Sequence, residues 1–559
     1  MKSFIGRPLL FASLVLAPLS TFVGCEEEPP LDCASCTCCH VDGGAGGGGG
    51  DADGGSGGAG GGQVGSGKLD ILFVVDNSTG MQAHQELLAG AADRLFETFE
   101  NPPCLTESGA FAEQPSAGTD ACPEGSSRAY APVRDIHLGV ISSSLGSLVG
   151  GACDTGEPGR NDGAHLLDRS PSGDAVPTYE SAGFLAYDPD QVSDPPGEAD
   201  RAKITDALAA LIGGAGQTGC GYEMPLEAMT RFLVDPAPYA SLEQSGDDLT
   251  EVGLDQALLD ERAAFVRPDS ALVIVLLSSE NDCSIDIRTS GHQALESAPM
   301  PRATSACAGD PDDPCCTSCA SPIPAGCAPD AACGPNQGTP AAAHYSPAED
   351  NANLRCYAQK QRYGVDYLYP TDRYVNALSA TMIDRTTSDL GGAAEENPLF
   401  AGGRDPASVV LLTLVGVPWP DLAADPMSST GPQLSNQELE DSGRWAWMVE
   451  GEDPFMLESV APRSGEHPGA GFVVNQDNPI NGGDTPANEG KLQMACGQPD
   501  SVSGCNSSNC RGAEPGLRHL EVVRALGASG VPGSICSTDP DAAFAPAFRE
   551  LSRRVAPAL

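Results

Sequence analysis

Basic side chains are scarce in this chain. Its 559 residues include 30 Lys and Arg against 77 Asp and Glu, a formal charge of −47. Nucleic acid and anionic lipid surfaces need the opposite sign, so neither is expected to bind the folded surface. The acidic excess is scattered rather than blocked, which suits a solvated surface and leaves divalent cations and basic partners compatible. Long apolar runs are missing beyond the first 25 residues. Residues 271–277 and 409–417 fall well short of the roughly 18 needed for a membrane span and read as core strands. The common enzyme motifs are missing too. There is no His-Glu-x-x-His and no complete phosphate loop. The Gly-x-Ser-x-Gly match at residues 54–58 lies in a Gly-rich tract with no strand before it, so it cannot be a nucleophile elbow. The eight histidines show no ligand spacing, and His84, on an expected helix, reads as a surface residue. Glu223 and Glu227 lie one helical turn apart, a pairing expected by chance in so acidic a chain. No catalytic residue is assigned, and a non-enzymatic protein is expected.

Cysteine, by contrast, is plentiful at 21 residues. The chain opens with Lys2 and Arg7, an apolar stretch over residues 8–23, and Gly24-Cys25, the layout of an export signal. Phe22-Val-Gly-Cys25 resembles a bacterial lipobox. That resemblance implies a signal peptide over residues 1–24, cleavage before Cys25 and lipidation of that residue. The protein would then be exported and anchored to the bacterial cell envelope, at the outer membrane, without a spanning helix. The alternative is cleavage elsewhere, with Cys25 an ordinary thiol. Setting Cys25 aside leaves an even number of cysteines bound for an oxidising compartment, so disulfides are expected for most of them. Cys33, Cys36, Cys38, Cys39 and His40 have zinc-like spacing, as does Cys315-Cys316-x-x-Cys319, but the setting favours disulfides in both. Residues 25–67 form the anchor region. Their Gly-rich part, from residue 43, is expected to behave as a flexible coil with a reach of about 25–30 Å.

Folded structure is expected over residues 68–559. Apolar strands at 71–75, 135–142, 270–278 and 408–417 alternate with helical patterns at 82–100, 200–211, 222–232, 353–378 and 543–555. That alternation predicts an α/β fold, a doubly wound and mostly parallel sheet flanked by helices. Two long segments, about 285–352 and 419–532, do not fit this core and read as insertions. The first carries Cys307, Cys315, Cys316, Cys319, Cys327 and Cys333, which suggests a disulfide-stapled loop.

The most informative stretch is Lys68-Leu-Asp-Ile-Leu-Phe-Val-Val-Asp-Asn-Ser-Thr-Gly-Met81. A buried strand ends there on a carboxylate and a hydroxyl, at the sheet edge where open α/β folds bind ligands. Such donors suit a hard cation. The stretch resembles the first strand and Asp-x-Ser-x-Ser loop of the von Willebrand factor A domain, of the bacterial secreted lipoprotein type. Further matches are Ile136-His-Leu-Gly-Val-Ile-Ser142, Thr218-Gly-Cys-Gly-Tyr-Glu-Met-Pro-Leu-Glu227, Glu280-Asn-Asp-Cys-Ser284, Arg355-Cys356, Tyr363-Gly-Val-Asp-Tyr-Leu-Tyr-Pro370 and Gly533-Ser-Ile-Cys-Ser-Thr-Asp539. The resemblance implies a metal-ion-dependent adhesion site that binds Mg²⁺ or Ca²⁺ through Asp76, Ser78 and Thr218.

The site is degenerate. Gly80 stands where the family has a Ser, and Ser279 stands at the position of a further Asp, with Glu280 and Asp282 close by as substitutes. Cys153, Cys220 and Cys283 are expected as disulfide cysteines near this site. The implied function is recognition of a protein or other macromolecule through the sheet edge. Two alternatives stand beside it: a disulfide-held structural envelope lipoprotein with a vestigial metal site, and an extracytoplasmic hydrolase using the same metal. If Asp76 merely satisfies local backbone groups, it caps the following helix and Ser78 does the same.

Overall fold

Strand β1 (Lys68–Val75) is apolar on both faces because both are covered. Ile71, Phe73 and Val75 face one core, and Leu72 and Val74 face the other. A computed structural model of the chain describes residues 67–559 apart from 109–110, 147, 149–158, 247, 297, 488–489, 498–511 and 537–542. Cys25, the Cys33–His40 cluster and Cys153 lie outside the described residues.

Five further strands join β1: β2 (Asp135–Ser142), β3 (Leu185–Tyr187), β4 (Ala271–Leu277), β5 (Val409–Val415) and β6 (Gly530–Ser534). The sheet order is β6-β5-β4-β1-β2-β3. All neighbours run parallel except the β2–β3 pair at one edge. In-register partners such as Val75 with Ser142 and Leu277 bring the carboxyl ends of β2, β1 and β4 level.

Seven helices matter for the two layers. They are α1 (Gln82–Glu100), α2 (Arg201–Gly214), α3 (Pro225–Leu233), α4 (Gln256–Phe265), α5 (Asp372–Ser379), α6 (Leu517–Leu526) and α7 (Ala545–Val555). Leu88 and Phe96 of α1, Leu208 of α2 and Phe548 of α7 pack on the Phe73 face. Phe232 of α3, Phe265 of α4, Tyr374 of α5 and Leu520 of α6 pack on the Leu72 face. The architecture is thus α/β, with a mostly parallel six-stranded sheet flanked by helices, as expected. Asp200 starts α2 by accepting the Ala202 N–H, the role its residue type predicts.

Several expectations need correction. Residues 353–378 are not one interrupted helix. Gly364 takes φ +73°, which ends the short helix Gln359–Tyr363, and the Tyr-rich segment after it is extended, with Leu368 bridging Ile285. The span 419–532 is not wholly an insertion, since α6 and most of β6 fall within it. A five-residue strand containing Gly530, Pro532 and Gly533 carries little periodic signal. His84 is buried on the inner face of α1, not a surface residue.

Disulfides staple the loops. Cys104 pairs with Cys122 and Cys496 with Cys536. The six cysteines of the first insertion pair among themselves, Cys307 with Cys316, Cys315 with Cys327 and Cys319 with Cys333. An ion pair ties α5 to α3. Arg373 of α5 donates Nε and Nη2 to the two carboxylate oxygens of Glu227 on α3, at 2.7 and 2.9 Å.

Candidate functional site

The carboxyl ends of β1 and β4 bring the Asp76 loop against Ser278-Ser279-Glu280, beside the point where the sheet order reverses. Asp76 is fully buried. Its Oδ1 accepts the Ser78 N–H at 2.8 Å, and its Oδ2 accepts the Ser278 hydroxyl at 3.0 Å and the Ser279 N–H at 3.2 Å. Burial raises its pKa against the lowering effect of these donors. Asp76 therefore ties β1 to β4 rather than capping α1, whose first turn has no side-chain cap. Loss of this side chain would leave three buried donors without their acceptor.

Asn77 locks the neighbouring loops. Its Nδ2 donates to the Gly159 and Ala215 carbonyls at 2.7 and 3.3 Å, and its Oδ1 accepts the Ser144 hydroxyl at 2.9 Å. Gly219 lies so close that a Cβ there would meet Asn77 Oδ1 at 2.3 Å, which explains a glycine in that loop. Ser78 Oγ is buried and makes no hydrogen bond of ordinary geometry. Gly80 has φ +110°, a backbone conformation that a serine disfavours, so an Asp-x-Ser-x-Ser sequence would not take this loop shape without strain.

The remaining residues singled out from the sequence take different places around this loop. Thr218 is exposed on the adjoining loop, close to Gly159. The oxygens of Asp282 are committed elsewhere. They accept the Leu226 N–H at the start of α3, the Ser284 hydroxyl and Arg518 Nε, at 3.2, 2.7 and 3.3 Å. Glu280 stays with Asp76, whose charge, after burial, raises its pKa to about 7. Cys283 is paired with Cys356, which anchors the Glu280 loop to the stapled region, and Cys220 is also disulfide-bonded.

Sequence reasoning missed the group that completes this edge. Glu223 is buried, with Oε1 lacking any partner, and its carboxyl is within hydrogen-bonding reach of Glu280. Burial first, then the charges of Glu280 and Asp76, hold its pKa well above the carboxylate range. Glu458 and Glu514 join from the late segment and line a cavity of about 30 Å³ with Glu223, Glu280, Asn281 and Tyr357. Asn281 Nδ2 donates to Glu458 Oε1 at 2.9 Å. Burial raises Glu458 to about 6 and Glu514 well above its usual range, with Lys491 opposing the shift at Glu514. The usable signal for Glu223 was an isolated carboxylate in the otherwise apolar or neutral run from Gly221 to Leu226.

Such an edge has two ways to relieve its charge: protons or a cation. The unpartnered oxygens of Ser78 and Glu223, with Glu280, are oxygen donors that fit a hard divalent ion. Among the described residues, no helix is long and apolar enough to cross a membrane. No protein-family model, curated protein or solved structure matches this chain.

Proposed function

We propose that this chain is a von Willebrand factor A-type module, exported and lipid-anchored at Cys25, that recognises a protein or other macromolecule through the carboxyl edge of its sheet. The observation that carries this reading is the loop at residues 76–80 on a central parallel strand, facing Ser279 and Glu280 across the point where the strand order reverses. The antiparallel edge strand next to β2 and the residue matches along the chain support the same family. A divalent cation, Mg²⁺ or Ca²⁺, would be held by Ser78, Glu223 and Glu280 beside Asp76. When bound, it supplies positive charge that an acidic partner group can approach. The chain's own part is to fix the loops, through Asn77 and the Cys283–Cys356 bridge, so that the edge is presented in one shape.

One observation favours the second reading, a structural envelope lipoprotein with a vestigial site. Asp76 already has three donors on its carboxylate and needs no ion. Titration calorimetry with Mg²⁺, Ca²⁺ and Mn²⁺ on the full chain and on Glu223→Gln separates the two. Pulldown from envelope extract, with and without chelator, extends the test to partners. Metal binding and chelator-sensitive capture, both weakened in the variant, support the adhesion reading. No binding at millimolar metal leaves the structural one.

A further inference from the structure

The chain between β2 and β3 meets the sheet edge at Gly159 and is fastened a few residues later by one histidine. His165 Nδ1 lies 2.9 Å from Glu261 Oε1, and its Nε2 lies 3.1 Å from Asp255 Oδ2. Asp255 caps α4 and Glu261 stands on it. Carboxylate oxygens accept, so each ring nitrogen has to donate, and a neutral imidazole has a single N–H. The two contacts together require the imidazolium form.

The surrounding charges ask for the same form. From α3, Arg231 directs Nη2 to Asp255 Oδ2 at 3.1 Å and lies over the Tyr239 ring. Within the loop, Asp162 is matched by Arg169, whose two terminal nitrogens reach its two oxygens at 2.9 Å each. Asp255, Glu261 and Arg231 leave one negative charge over, and a protonated His165 cancels it. The hydrogen bond to Glu261 raises the His165 pKa against the cost of burial, and the charges of Glu261 and Asp255 add to the rise.

The backbone at this point depends on such fastening. Gly163 and Ala164 have φ +61° and +67°, and Ala164, which carries a side chain, is fully buried in that left-handed region. Arg231 Nε donates to the Gly163 carbonyl at 2.9 Å, and Glu261 Oε2 accepts the Leu166 N–H at 3.0 Å. Four residues before Gly163, the Gly159 carbonyl accepts Asn77 Nδ2 at 2.7 Å. A short stretch of chain thus connects His165 to the loop at residues 76–80.

We propose that His165 is a proton-operated clasp. Charged, it fastens residues 159–167 to α4 and steadies the Asn77 loop; neutral, it keeps one carboxylate, faces the other with a lone pair, and releases both loops. The ring side chain is 34% exposed, so its proton exchanges with solvent. A proton held more tightly in the folded chain gives stability that is full below the unfolded value of about 6.5 and is lost as pH rises through the folded one. An effect on partner recognition rests on the reading of the sheet edge given above; the clasp itself does not.

The test uses the full chain in chelator, labelled with carbon-13 at histidine Cε1 and titrated by NMR, with His165→Gln identifying the resonance. His165 should titrate above the ordinary histidine value, and Glu261→Gln should bring its midpoint down. Hydrogen exchange read by mass spectrometry, corrected for its intrinsic pH dependence, should rise several-fold in residues 159–167 and in 76–80 as pH passes that midpoint. His165→Gln should lose this step. A wild-type midpoint at or below the ordinary value, or the same exchange profile in wild type and His165→Gln, overturns the clasp. A step confined to residues 159–167 overturns the link to the sheet edge. Because no divalent ion or partner enters the measurement, failure here leaves the recognition reading standing, and failure of metal or partner binding leaves the clasp.

Discussion

Glu223 and Glu280 bring their carboxyl groups within hydrogen-bonding reach of one another beside the charge of Asp76. Each is raised above its unfolded value, near 4.3. The folded state therefore keeps protons that the unfolded chain has lost, and the stability this contributes is full below about pH 4 and declines as pH rises through about 7. In chelator, wild type should unfold at lower urea at pH 7.5 than at pH 5.5, and Glu280→Gln should flatten that dependence. Added Ca²⁺ should restore the pH 7.5 midpoint in wild type only. An unchanged pH profile in Glu280→Gln would refute the coupling.

Asp76→Ala should destabilise the fold by about 3 kcal/mol, because three donors lose a charged acceptor in a buried site. Asp76→Asn keeps an acceptor and should cost about half as much. Urea denaturation of both variants checks the order, and equal midpoints for wild type and Asp76→Ala would contradict the tie between β1 and β4.

How much of this was legible in the chain differs by element. The strands β1, β2, β4 and β5 were readable because burial on both faces forces unbroken apolar runs. The edge strand Leu185–Tyr187 is three residues long, too short to show alternation. At the sheet edge, Asp76 and Ser78 were legible because they follow directly on an unbroken apolar strand. Glu223 and the late residues Glu458 and Glu514 were not, since their meeting depends on how two long segments fold back over the sheet edge. Asp282 was misleading for a related reason. It sits at the right place in the chain, but the exposed N–H groups at the start of α3 and the Arg518 side chain claim its oxygens first.

The Cys283–Cys356 bridge spans 73 residues and holds the Glu280 loop. Replacing both cysteines by Ser should cost about 2–4 kcal/mol and weaken whatever cation affinity the edge has. Calorimetry and chemical denaturation on the double variant measure the two effects separately. Alkylation of the unreduced, denatured protein followed by mass spectrometry should find few free thiols, and modification of half or more would overturn the disulfide reading.

Arg373→Met should destabilise the protein by about 3 kcal/mol, since it leaves the Glu227 carboxylate half-buried and alone. Glu227→Gln with Arg373→Met together should recover part of that loss. A double-mutant cycle in urea gives the coupling directly, and a coupling near zero would show that packing rather than charge holds α5 against α3.

Cys25→Ser should leave an uncleaved precursor in the membrane fraction, visible as a longer band on immunoblots. A product of normal mature size would argue for cleavage elsewhere.

The two rims of the sheet carry a consequence for the protein at high concentration. A long parallel sheet offers unpaired backbone at each end, which invites neighbouring copies to add strands and grow into fibres. One rim here is the three-residue Leu185–Tyr187, and the other contains Pro532, which has no N–H to offer. Copies crowded together thus find little backbone template at either rim, and they can touch without the sheets polymerising.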